Sequence, residues 1–146
     1  DGEAVASALT RTDLVELASV PADSLSCGQR QRVWLAMVLA QDTPVLLLDE
    51  PTSFLDIAHQ LDVLDLVRSL RDQSGTTVVM VLHDLAMAAR YADHLVAMSD
   101  GRIIAEGPPA QVVTPEVIAD VFGVTASVIV DPESGTPLVI PRRRAS

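Results

Sequence analysis

The feature that most constrains the fold is Val45-Leu46-Leu47-Leu48, an all-apolar run that follows Pro44 and stops at two adjacent acids, Asp49 and Glu50. Such a run offers no polar face to solvent. It predicts a short strand covered on both faces, the habit of parallel sheets. Helical patterns flank it. Residues 28–41 carry Val33, Met37 and Ala40 on one side and Arg30 and Gln31 on the other, which predicts a largely buried helix. Residues 56–73 set Ile57, Leu61, Leu64 and Val67 on one stripe, and Gly75 ends it. The β-branched stretch 76–82 predicts the next strand. Helix and strand therefore alternate, and the fold class is α/β with parallel central strands.

The remainder reads as shorter pieces. Residues 3–20 predict one or two short helices, with Thr12 or Asp13 as the second N-cap, and 21–27 is a loop. A helix over 84–92 and a strand over 95–98 precede the Asp100-Gly101 turn, which leads into a strand at 102–105. Two short helices follow at 109–113 and 115–122. A last hairpin pairs 127–130 with 138–140 across a turn at 131–135. Arg142-Arg143-Arg144 predicts a solvated, inert tail.

Composition narrows the function. The chain of 146 residues is 49% hydrophobic and 21% charged, which is globular composition. The longest apolar run, 33–40, is far short of the roughly 20 residues a membrane span needs. A net charge of -10 without basic clusters argues against a nucleic-acid surface. The single cysteine, Cys27, excludes an internal disulfide and a cysteine-based zinc site. All 10 basic residues are arginine. A phosphate-binding P-loop needs glycine-rich backbone followed by lysine, so this sequence holds none. Asp1 in place of Met makes the chain read as a fragment or a processed form, with no secretory signal visible at its start.

Two segments carry chemistry. A strand ending in Asp49 and Glu50 sets both carboxylates at the carboxyl edge of a sheet, where α/β proteins bind ligands. Side chains alternate along a strand, so one acid can hold Mg²⁺ while the next orients a water; a solvated acidic turn is the plainer alternative. In Leu25-Ser26-Cys27-Gly28-Gln29, a hydroxyl and a glycine at a helix N-terminus suit a phosphate, yet Ser26 is equally an ordinary N-cap. Asp56 follows the acids by a short loop. His83 ends the next strand, at the sheet edge expected for Glu50 and within reach of one phosphate.

Leu25-Ser26-Cys27-Gly28-Gln29, the apolar run closed by Asp49-Glu50-Pro51, Ser53-Phe54-Leu55-Asp56 and the later His83 occur in this order. The set resembles the C-terminal half of the ATP-binding subunit of ABC transporters, and the motifs cover most of the chain. Residues 54–60, Leu82-His83-Asp84-Leu85, 90–93 and 100–103 resemble the iron–siderophore importer branch. The resemblance implies a partial P-loop NTPase-type sheet with flanking helices whose Walker A half is missing. It implies three stretches: 1–42 in the helical subdomain with the signature motif, 43–99 from Walker B to the switch histidine, and 100–146 as C-terminal hairpins and short helices. Asp49 then supports Mg²⁺, and Glu50 polarises the attacking water. His83 senses the γ-phosphate. Asp56 sits in the D-loop, and Ser26, Gly28 and Gln29 close over ATP held by the opposite subunit of a head-to-tail dimer. Implied cofactors are ATP and Mg²⁺. Implied partners are a second ATP-binding subunit and membrane permease subunits, with no nucleic acid, at the cytoplasmic face of the membrane.

Cys27 stands where the family has glycine. If that position demanded φ > 0, a side chain there would cost on the order of 1 kcal/mol. The Walker A loop, the adenine-stacking aromatic and the Q-loop belong to the half that is missing, so the chain alone is expected to be inactive. Two competing classes are the C-terminal lobe of a chromosome-maintenance or repair ATPase and a non-catalytic interaction module. The acidity and the lack of sustained heptads before residue 25 count against the first. Intact Asp49, Glu50 and His83 count against the second.

Overall fold

The computed structural model describes residues 2–41 and 43–144. The chain packs as two units, Asp1–Val81 and Leu82–Ser146. In the first, helices α1 (Gly2–Arg11) and α2 (Cys27–Leu39) precede strand β1 (Val45–Asp49), helix α3 (Ile57–Ser74) and strand β2 (Thr77–Val81). β1 and β2 pair in parallel, from Val45 opposite Thr77 to Asp49 opposite Val81. Parallel neighbours need a crossover, and α3 supplies it. Its start is set by Asp56, whose carboxylate accepts from the His59 N–H. Its end is set by Gly75 at φ 63°, a left-handed position that glycine takes without strain.

Two apolar clusters hold this unit together. Leu35, Leu46, Leu48, Val67 and Leu70 form one, between the helices and one face of the strands. Ala8, Leu14 and Ala36 form the other, where α1 meets α2.

The alternation of side chains along β1 corrects the expectation of a strand covered on both faces. Leu46 and Leu48 are buried, whereas Leu47 is 71% exposed and Val45 is exposed beside it. Among the described residues only the helix-facing side of β1 is covered. The helical stripes are corrected in the same way. Met37 is 64% exposed, and α2 buries Leu35 and Ala36 instead. Ile57 is exposed at the first turn of α3, and the buried stripe runs through Val63, Leu64, Val67 and Leu70. Thr12 caps nothing: it is buried, and its hydroxyl donates to the Ala8 carbonyl at 2.8 Å. A 3₁₀ turn, Val15–Leu17, follows with Leu14 at its N-cap.

The second unit contains helix α4 (Leu85–Tyr91), strands β3 (Leu95–Ser99) and β4 (Arg102–Gly107), helices α5 (Pro109–Val112) and α6 (Pro115–Phe122), and strands β5 (Val124–Val130) and β6 (Pro137–Arg144). β3 and β4 form an antiparallel hairpin. Asp100 and Gly101 both have positive φ at its turn, 49° and 74°, which matches the right-handed strand twist. β5 and β6 form a second hairpin that is longer than the sequence predicts. Asp131 closes its turn by accepting from the Glu133 N–H and the Ser134 hydroxyl. The arginine run is not a free tail, because Arg143 pairs with Thr125 and Arg144 with Val124 in the ladder. Ala89, Tyr91, Val112, Val113 and Ile118 are the buried apolar residues here. The described strands thus form three two-stranded sheets, not one continuous sheet.

Candidate functional site

The parallel pairing of β1 with β2 brings Asp49 to the carboxyl end of the strands, opposite Val81. That edge is where open α/β sheets bind ligands. Glu50 is the next residue and turns sharply, with φ 48°. Its carbonyl accepts from the Ser53 N–H at 3.1 Å, and its Oε2 accepts from the Ser53 hydroxyl at 2.8 Å. Phe54 also has positive φ, 63°, and its ring is fully exposed. Left-handed backbone in a non-glycine residue costs about 1–3 kcal/mol and persists only where the surroundings impose it. The turn 50–54 holds two such residues.

Helix α2 begins beside this turn. Ser26 is its N-cap, accepting from the Gln29 N–H at 3.2 Å, while the Gln29 side-chain oxygen accepts from the Ser26 N–H at 2.8 Å. This is a complete capping box, so the ordinary cap reading of Ser26 holds. Cys27 is the first residue of α2, a helical backbone position that carries none of the left-handed strain its substitution for glycine would otherwise imply. One turn on, Gln31 donates to the Pro51 carbonyl at 2.8 Å and ties α2 to the segment after the two acids. Gln31, Trp34, Asp49, Glu50, Ser53 and Phe54 line an open groove of ≈ 530 Å³.

A second tie joins Gly28 to Asp56. A Cβ built on Gly28 would lie 2.9 Å from His59 Nε2 and closer still to Cδ2, so the imidazole occupies the space of a side chain at position 28. The other ring nitrogen, Nδ1, lies 2.7 Å from Asp56 Oδ1, which also accepts from the His59 N–H at 3.0 Å. The backbone N–H bond and then the imidazole hold the Asp56 carboxyl below the ordinary carboxylate range.

The first unit therefore gathers Ser26, Gly28, Gln29, Asp49, Glu50 and Asp56 around α2 and the β1 carboxyl end. His83 belongs to the second unit, exposed on the segment between β2 and α4, next to Asp84, which caps α4 by accepting from the Met87 N–H at 2.9 Å. Sequence reasoning missed Gln31, Ser53 and His59. Only His59 left a local signal, an imidazole three residues after an N-cap aspartate.

A family model described as "ABC transporter" matches residues 1–53. Over 146 residues the chain is 50% identical to the ferric enterobactin transport ATP-binding protein FepC of Escherichia coli (strain K12), covering 100% of this chain and 54% of FepC. Along its whole length the chain is similar to an ABC transporter ATP-binding protein. Over 143 residues the chain is also 50% identical to the hemin import ATP-binding protein HmuV of Rhodococcus jostii (strain RHA1), covering 98% of this chain and 49% of HmuV. Its fold matches a metal-chelate type ABC transporter solved in an inward-facing conformation, with a TM-score of 0.86 and 29% identity, covering 96% of this chain and 56% of that one. The chain spans about half the length of the relatives it matches.

Proposed function

We propose that this chain is part of the ATP-hydrolysing subunit of an importer for iron–siderophore-type substrates. The observation that carries the reading is the 50% identity to FepC along the whole chain. This chain's own sequence carries the signature, acidic and histidine motifs in that order. Residues 1–42 then serve as part of the helical subdomain, 43–99 as the core from Walker B to the switch histidine, and 100–146 as the C-terminal hairpins.

Asp49 and Glu50 fit a nucleotide-bound Mg²⁺ and an attacking water. Both are exposed carboxylates on an open groove, and Mg²⁺ needs only one or two protein carboxylates when phosphates complete its shell. Asp49 would hold the metal, which would supply positive charge to offset that of the phosphates. Glu50, oriented by Ser53, accepts a hydrogen bond from the water and so aims it at the γ-phosphate. His83 hydrogen-bonds the γ-phosphate and reports its presence. Ser26, Gly28 and Gln29 present the N-terminus of α2 to ATP on a second subunit, where free N–H groups and the helix dipole favour an anion. Asp56, between the two sites, conveys closure from one to the other.

The phosphate cradle is not in this sequence, because the chain has no lysine. The acids position metal and water but do not grip phosphates, so the 146-residue chain hydrolyses no ATP by itself. Its working partners are a second ATP-binding subunit and permease subunits at the cytoplasmic membrane face. No helix among the described residues is long and apolar enough to cross a membrane.

Calorimetric titration of Mg·ATP tests the proposal. The chain alone should show no saturable binding up to about millimolar ATP, and turnover should appear once a Walker A half from a relative is added. Turnover that then survives Glu50→Gln would sink the assignment of Glu50.

A further inference from the structure

We infer that His59 is a positioning residue that locks Asp56 to the start of α2, making the D-loop aspartate and the signature glycine one mechanical piece. The inference rests on the reading of Asp56 and Gly28 proposed above for its functional meaning, and on the geometry alone for the link. Nδ1 lies 2.7 Å from Asp56 Oδ1. An ionised carboxylate only accepts, so Nδ1 carries the proton. The opposite edge of the ring, Cδ2 and Nε2, fills the notch above Gly28, where a Cβ would stand 2.9 Å from Nε2. One ring therefore touches both motifs. It can keep the bond to Asp56 only while residue 28 lacks a side chain.

This gives the glycine a reason that helix geometry does not supply. Gly28 is the second residue of α2, and glycine is a poorer helix former than alanine. Propensity favours alanine there, and the imidazole excludes it. A shift of the α2 start is felt at Asp56 through the ring, and a shift of Asp56 is felt at α2.

The link is read without nucleotide, from the imidazole ¹⁵N correlations of His59 in the full chain above the ordinary imidazole titration range. The expected spectrum has Nδ1 protonated and Nε2 bare. Gly28→Ala should displace the ring and abolish that signature, and Asp56→Asn should weaken it. A His59 spectrum with Nε2 protonated, or one unchanged by Gly28→Ala, would overturn the inference. Should Gly28→Ala unfold the chain, Gly28→Ala with His59→Ala decides the matter: the inference requires the double variant to melt higher than Gly28→Ala alone, and an equal or lower melting temperature refutes it. Because no arm uses ATP, a failure of the proposed ATPase function leaves these outcomes unchanged.

Discussion

The Ser53 hydroxyl donates to Glu50 Oε2 at 2.8 Å, so the acid beyond β1 is steered by a residue of its own turn. The same turn returns the Ser53 N–H to the Glu50 carbonyl. Ser53 thus bonds Glu50 twice, its backbone N–H at the carbonyl and its hydroxyl at the carboxylate. For a group proposed to aim a water, orientation matters as much as charge.

Ser53→Ala should therefore slow ATP turnover without unfolding the protein. Loss of an exposed hydrogen bond to a charged group is worth about 1 kcal/mol, or about fivefold in rate. The assay is turnover with a Walker A half supplied, with the melting temperature as control. Unchanged turnover would show that Ser53 does not orient Glu50.

Removing the cap of α2 should cost stability in a specific pattern. Ser26→Ala is expected to lose about 1 kcal/mol, read from the denaturant midpoint. Gln29→Ala removes the reciprocal half of the same box. The double variant should lose less than the sum of the two, because each single change already breaks the box. Strict additivity would mean that the two bonds form independently.

β1 offers a test of its one covered face. Leu46→Ala should destabilise by about 2–5 kcal/mol, since it empties a site packed against Leu35, Val67 and Leu70. Leu47→Ala, one residue on, should stay within about 0.5 kcal/mol, because that side chain is 71% exposed. Equal losses at both positions in the 146-residue chain would show that the second face is covered in solution.

The acid limb of stability should carry a signature of Asp56. Its carboxyl is held below the ordinary 3.8 by hydrogen bonds from His59. A depressed folded-state value means the contribution is present above 3.8 and is lost as pH falls through the lower, folded value. Asp56→Asn should flatten the acid side of a melting-temperature profile. An identical acid limb in the variant would show that Asp56 has the same affinity for protons in both states.

Local chemistry was legible wherever a short stretch settles its own structure. The Asp100-Gly101 turn, Ser26 at a helix start, Gly75 at a helix end and the strand before Asp49 all stand where the residues predict. Each depends on neighbours within a few positions, through φ preferences and unpaired N–H groups. The burial of whole faces was less legible. Met37 and Ile57 fit a helical stripe as well as Leu35 and Leu70 do, because periodicity marks an apolar side without saying how wide the packed area is. The arginines at 142–144 read as a tail because charge outweighs β propensity in such a run, yet strand pairing with β5 takes their backbone.

By itself, then, the sequence determined the α/β alternation, the start of α2 at Ser26, the end of α3 at Gly75 and the acids at a strand end. These follow from residue type and spacing along one continuous chain. Tertiary structure alone decided that His59 joins Gly28 to Asp56, that Gln31 holds Pro51, and that the described residues cover one face of β1. The first two are contacts between residues distant in the chain, and the third depends on where the helices lie. No local propensity encodes which side chain fills the space that a glycine leaves open.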